Sequence, residues 1–366
     1  MIALTRSLTA AIFGCALVAI ASQAQAEPHF AVQKGLKCVA CHASPSGGGK
    51  RNAYGNVFAQ TELPAFRLRD EGDGYWTGEL SKYIALGADV RGSWVKNDVP
   101  GQDTPSETGL DEVLAYLEVR VIPDRLSVHL DAKLLPDDPV ERELYARLIS
   151  KDRRFWLRAG QFFLPYGLRL QDDSAFIRVV PGINFNTPDI GWEAGLEQGD
   201  WSAQFSVTRG TAGGTEIDSG KQYSLRVSYM KPRWRIGGSA NFNNTPFGDR
   251  RMQNLFAGLR TGPVAWLAQA DLIVDEGTST GRRESSVSFV EASINPWQGH
   301  HLRASFDYHD PDLDVSNDER NRLSLVWEFV PFEFVQTRAG IRHYDGIPQN
   351  PLQNREQLFV EIHLMF

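Results

Sequence analysis

The chain has 366 residues, a formal net charge of −7 and 42% hydrophobic residues, with a mean hydropathy of −0.32. That length accommodates one large domain and a small appendage. The acidic balance speaks against nucleic acid as a partner. No stretch after the leader has the ~20 consecutive apolar residues of a membrane-spanning helix, but a β-barrel crosses a bilayer with this composition because only alternate residues meet lipid.

The first 26 residues read as a secretory signal peptide: Arg6 supplies the positive region, Leu8 to Ile20 is almost wholly apolar, and Ala24-Gln25-Ala26 is a small-residue cleavage site. Of the three cysteines, Cys15 falls inside that leader, which leaves Cys38 and Cys41. They stand in Cys38-Val39-Ala40-Cys41-His42. A disulfide here would close a very short loop and stabilise little. Two cysteines at this spacing can instead form thioethers with the vinyl groups of one haem c, and the adjacent His42 can ligate its iron. Cys38, Cys41 and His42 are therefore the cofactor-binding candidates, and His42 the proximal metal ligand.

A sixth ligand is less clearly marked. His29, nine residues before Cys38, is the best single candidate as a second metal ligand. Lys50, Asn52 and Tyr54 are weaker local donors, and His129, His301 and His309 are candidates from the wall of the next unit. Residues 27–75 form this first unit, with a short helix within Phe30–Cys41, a flexible Ser44–Gly49 turn and a second short helix over Asn56–Leu63. About 50 residues bury little core, so the unit is expected to lean on its neighbour.

From Tyr83 the pattern changes to period-two alternation broken by turn signals. In the first strand Ile84, Leu86, Ala88, Val90 and Trp94 share one face, and Asp89 and Arg91 the other. Val113 to Val121 and Leu126 to Lys133 repeat the alternation across Pro123-Asp124-Arg125. Short turns at Lys151-Asp152-Arg153, Gly199-Asp200, Lys231-Pro232-Arg233, Thr261-Gly262-Pro263 and Pro331-Phe332-Glu333 alternate with longer polar connections, such as 99–109, 210–220 and 275–284. That asymmetry predicts an all-β, transmembrane antiparallel β-barrel of about sixteen strands over 76–366, in the bacterial outer membrane. The alternating strand that ends in Phe366 fits the same reading. Glu118, Arg120, His129, Asp131, Lys133, Arg147, Arg158, Arg226, Arg303, Asp307, Arg338, Arg342 and Glu361 have lumen parity or sit near it. The haem segment is expected in the lumen or on the periplasmic side.

The run Ala26-Glu27-Pro28-His29-Phe30-Ala31-Val32-Gln33-Lys34-Gly35, leading into Cys38–His42, resembles the N-terminal signature of the fused monohaem cytochrome–porins. The departures are Val32 and Lys34, where that family usually has Arg and Thr, which suggests a sister group. The resemblance implies electron transfer between an extracellular donor or acceptor, ferrous iron among them, and a periplasmic cytochrome or other electron carrier. Gly160-Gln161-Phe162-Phe163-Leu164-Pro165-Tyr166-Gly167-Leu168-Arg169 resembles the strand-to-loop segment of phosphate-selective-type porins and supports the barrel. The alternative function is a diffusion porin whose haem segment acts as a plug or redox-responsive gate.

Overall fold

The computed structural model describes residues 27–69, 73–212, 214–216, 218–278 and 281–366. The predicted leader, 1–26, lies outside them. Among the described residues there are sixteen strands: β1 (Ile84–Asp98), β2 (Glu107–Ile122), β3 (Leu126–Leu135), β4 (Val140–Ile149), β5 (Phe155–Phe162), β6 (Asp189–Gln198), β7 (Trp201–Thr208) and β8 (Gln222–Lys231), followed by β9 (Trp234–Thr245), β10 (Gly248–Thr261), β11 (Val264–Gly277), β12 (Gly281–Trp297), β13 (His300–Asp310), β14 (Arg320–Phe329), β15 (Val335–Asp345) and β16 (Glu356–Met365). Each strand pairs antiparallel with its chain neighbours, and β1 pairs with β16 to close the barrel. Closure leaves no edge with unpaired backbone groups, which is what a bilayer requires.

Alternation sets the two faces. In β1, Asp89 and Arg91 are buried inside while Ile84 and Trp94 are exposed outside. Leu144, Leu148, Phe205, Leu225, Leu323, Leu325, Leu358, Val360 and Ile362 are likewise exposed on the outer face. Trp201, Trp234 and Trp297 stand beside the short turns, where indole rings suit a membrane interface. The lumen holds the ions, and they are cross-paired: Arg158 with Glu193 at 2.8 Å, Arg338 with Glu361 at 2.6 Å, and Arg142 with Asp131 at 3.1 Å.

Two segments fill the lumen. The first is the N-terminal unit, with helices α1 (Pro28–Lys34), α2 (Cys38–Cys41) and α3 (Ala53–Thr61). It packs at the end of the short turns: Ala65 N–H donates to Val330 O at 2.8 Å, and the Gln298 side-chain amide donates to Glu62 O at 2.8 Å. The predicted first helix is thus two helices, broken where Gly35 turns left-handed at φ 66°.

The second is the β5–β6 connection, residues 163–188, which folds inward and carries the one-turn helix α4 (Phe176–Val179). Tyr166 Oη donates to Asp271 at 2.9 Å, and Gly167 N–H donates to Ser239 at 2.9 Å. Asp172 accepts from Arg322 at 2.9 Å and from Arg342 at 3.1 Å. Desolvation works against its charge, but the two guanidinia hold its carboxyl well below the ordinary 3.8. This stabilisation is present above pH 3.8 and is lost as pH falls further. Asp172→Asn is expected to cost roughly 2–3 kcal/mol of loop docking, less than a fully buried pair because Asp172 is partly exposed. Hydrogen exchange over 163–188 should rise accordingly; unchanged protection would contradict that anchor.

The expected connection over 275–284 differs from the structure. β11 runs to Gly277 and β12 resumes at Gly281, so most of it is an extended hairpin. Its charges pair across the strands, Arg283 with Asp275 at 3.4 Å and Arg251 with Glu276 at 3.4 Å, which is why a polar sequence there still forms strand.

Candidate functional site

The Cys-x-x-Cys-His segment is held from both sides. Upstream, a Cβ on Gly35 would come within 2.8 Å of Pro232 Cα in the β8–β9 turn, so the chain passes close against the wall there. Lys37 then bonds Glu197 at 2.9 Å and Trp201 O at 2.6 Å. His42 N–H donates to Cys38 O at 3.0 Å, which closes the short helix α2.

Downstream, Gly47, Gly48 and Gly49 lie at φ 84°, 77° and 60°. Only glycine takes three such conformations in succession without strain. The turn they make returns the chain so that Ala43 N–H meets Lys50 O at 2.9 Å. Asn52 caps α3 by accepting from Gly55 N–H at 2.9 Å, and its amide donates to Ala40 O at 3.0 Å. One side chain thereby ties α2 to α3. A Cβ on Gly55 would stand 2.1 Å from Cys41 O. Gly55→Ala is therefore expected to force α3 off the motif at a cost of about 1–3 kcal/mol. Limited proteolysis of 27–69 in the folded barrel checks this; wild-type resistance in the variant would contradict it.

Beside the motif lies a cavity of about 760 Å³, partly open to solvent, lined by Cys38, Cys41 and His42 together with Phe30, Leu36, Phe58, Leu63 and four arginines. Cys38 and Cys41 are free thiols. Burial, then the Cys38 sulfur, pushes Cys41 up to about 11, so its thiol is neutral. Burial, then Arg51, pulls His42 down to about 3. His42 is thus a neutral imidazole, the form that ligates a metal, and its Nδ1 is buried without a hydrogen-bond partner. Two thiols, an imidazole with an orphaned nitrogen and an apolar-walled cavity are a donor set that fits a covalently attached haem. When bound, such a group supplies a one-electron couple.

Among the described residues, no group of three or more His, Cys, Asp or Glu side chains is gathered as a metal site. That includes the acidic connection from Asp310 to Glu319.

The other sequence candidates are spread out. His29 is fully buried but lines a different cavity, with Gln171, Asp172, Glu291 and Arg303. It sits 3.1 Å from Glu27 and 3.8 Å from Glu291, and burial pulls it down to about 3. His301 packs edge-on to Phe30 at 4.8 Å, His129 bonds Ser127 at 2.8 Å, and His309 packs against Phe176. Lys50 is committed to Glu118 at 3.2 Å, and Asn52 to its helix cap. Arg51, Arg169, Arg226 and Arg235 are the lining residues that motif reading did not single out. Lumen parity marked Arg226, but nothing local marked the others.

The cavity lies between two clefts. On the short-turn side, His42, Tyr54, Arg120, Arg125 and Arg153 line a cleft of about 1200 Å³. On the opposite side, Asp111, Lys133, Arg178 and Phe185 line one of about 960 Å³. Phe185, which lines the latter, and Arg169, which lines the cavity, stand between the two. Phe185 lies against Arg169 at 5.5 Å, and Arg169 bonds Gly47 O at 2.8 Å and itself lines the cavity.

Fold and site together define a porin-type β-barrel whose N-terminal plug presents a Cys-x-x-Cys-His cavity in the lumen. No protein-family model matches the sequence, and no curated protein matches it either. Solved structures do resemble it in fold. The loop-L8 deletion mutant of OmpT, an outer membrane protein of Vibrio cholerae, superposes with a TM-score of 0.63 at 11% identity, covering 77% of this chain and 99% of that one. An anion-selective porin from Comamonas acidovorans gives 0.59 at 11% identity, over 77% and 99%. Salmonella typhi OmpF, in complex with daunomycin, gives 0.58 at 11%, over 77% and 97%.

Proposed function

We propose that this protein is an outer-membrane cytochrome–porin carrying one covalent haem c, and that it passes electrons between an extracellular donor or acceptor and a periplasmic carrier. The observation that carries the reading is the coincidence of Cys38, Cys41 and neutral His42 on one cavity inside a membrane-type barrel. The porin-like fold supports an outer-membrane location. The N-terminal signature supports the cytochrome–porin likeness, with ferrous iron as the first donor to try.

The chain's own residues divide the work. Cys38 and Cys41 would hold the haem covalently, and His42 would supply a nitrogen to its iron. Asn52 and Gly55 keep the motif against α3. The inner loop and the plug occupy the lumen at two levels, which restricts solute passage while leaving a cleft on either side of the cavity. The short-turn cleft, beside His42, is the approach for a periplasmic cytochrome. The opposite cleft, closed from the cavity by Arg169 and Phe185, is the approach for an external reductant or oxidant.

The test is stopped-flow spectroscopy of the purified protein. Reduction by ferrous iron or another external donor, followed by reoxidation on mixing with a soluble c-type cytochrome, is expected. A chain isolated from a cytochrome c-maturing host with no covalent haem would overturn the proposal.

A further inference from the structure

Most lumen arginines meet a carboxylate. Arg91, Arg142, Arg158, Arg303, Arg322 and Arg338 each have one within 4.0 Å. The four that line the Cys38–Cys41–His42 cavity do not. Among the described residues, Arg51, Arg169, Arg226 and Arg235 have no ion-pair partner, and their contacts are to neutral groups. Arg51 meets Met365 sulfur at 3.8 Å, Arg169 meets Gly47 O and Leu164 O at 2.8 and 2.9 Å, and Arg226 meets Gly167 O at 3.1 Å. Arg235 Nε has no hydrogen-bond partner, and its guanidinium meets the Cys38 side chain.

Arg51, Arg226 and Arg235 are nine-tenths or more buried. Each comes from a different part of the chain: plug, β8 and β9, with Arg169 added by the inner loop. The acidic group lining the same cavity, Glu27, is already committed to Arg303 at 3.6 Å and His29 at 3.1 Å. Lys37 is matched by Glu197. Four guanidinia around one cavity with carboxylates such as Asp89, Glu143 and Glu193 only beyond ion-pair distance are costly unless an anion completes the site. Guanidinium is also the group whose fork matches a carboxylate in two-point contact.

We infer that Arg51, Arg169, Arg226 and Arg235 form a carboxylate clamp that seats the two propionates of the haem held by Cys38, Cys41 and His42, with positive charge left over. The inference rests on the haem reading above. The clamp gives the cofactor a fixed orientation, and it adds to the ties that Arg169 and Arg226 already make between inner loop, plug and wall. Two propionates balance two of the four guanidinia. The surplus favours the reduced form, because reduction adds an electron next to fixed positive charge.

The experiment is a redox titration of the haem-loaded full-length protein, with resonance Raman spectra of the propionate bending modes. Wild type would be compared with Arg226→Gln, Arg235→Gln and Arg235→Lys, each verified as folded by its heat-modifiable mobility in gels. Each Gln variant is expected to shift the ferric/ferrous equilibrium about tenfold toward ferric, a fall of ~59 mV for a one-electron couple. Its propionate band should also move. Arg235→Lys should recover most of the potential, which a purely structural role does not predict. Haem bound with potentials and propionate bands unchanged in both Gln variants would overturn the clamp while leaving the cytochrome reading intact. A wild-type potential that moves on adding inorganic phosphate would also overturn it, by showing that the arginines serve a free anion. Absence of haem from wild type would instead sink the reading on which the inference rests.

Discussion

Replacing both Cys38 and Cys41 by serine is expected to abolish covalent haem while leaving the barrel folded. The reasoning is local. Both thiols face one cavity, they are free, and the barrel's closure owes nothing to them. Either single replacement should leave one thioether. The unreacted vinyl stays conjugated with the ring, so the reduced α-band should move to longer wavelength in Cys38→Ser and in Cys41→Ser alike. His42→Ala leaves both thioether-forming cysteines in place, so covalent haem should be retained while loss of an iron-ligating nitrogen changes the absorption spectrum of the native protein. Haem staining of denatured protein, with mass measurement of the intact chain, reads all four variants. Full haem retention after loss of both cysteines would show that the motif is not the attachment point.

The second large effect concerns the plug. Deleting residues 27–69 while keeping the leader is expected to raise single-channel conductance in planar bilayers by at least several-fold. A sixteen-stranded barrel encloses an aqueous lumen unless something fills it, and here two layers do so. Removing the N-terminal layer opens the short-turn side. The inner loop should persist as a constriction, because its anchors to Ser239, Asp271, Arg322 and Arg342 lie on the wall. The barrel should survive, because its strands pair only with one another and the exposed lumen charges can be wetted. Equal conductance with and without the plug would show that solutes already bypass it. The diffusion-porin reading would then gain.

Much of this architecture was legible in the sequence. Period-two alternation in β1 put Asp89 and Arg91 inside and Trp94 outside, and burial agrees. The strand total follows from the same pattern, as does the alternation of short turns with longer connections except at β9–β10 and β11–β12, where the connections are short. The strand-to-loop segment Gly160–Arg169 was marked by its resemblance to porins, but the inward fold of that loop was not legible. Phe162, Phe163, Leu164, Tyr166, Leu168 and Leu170 are all buried, but after Phe162 the chain is loop. An apolar run inside a filled lumen has no period that separates it from a strand.

The site divides in the same way. Cys38, Cys41 and His42 are adjacent in sequence, so their chemistry shows locally. The arginines opposite come from residues 51, 169, 226 and 235, and no spacing rule connects them. In sequence His29 is the best single candidate for a second ligand. Yet α1 turns its ring toward Glu27 and Glu291, while its neighbours Pro28 and Phe30 line the cavity of Cys38, Cys41 and His42. A nine-residue separation does not say which way a helix faces.

Electron transfer through the barrel is tested with haem-loaded protein inserted in liposomes that hold a trapped haem-protein acceptor, with ferrous iron added outside, without oxygen. The protein's c-type bands should appear first and the trapped acceptor should then become reduced, with neither change in liposomes containing the protein that lacks both cysteines. An acceptor that stays oxidised with ferrous iron and with every other membrane-impermeant donor tried, while the protein's own haem is intact, would contradict it.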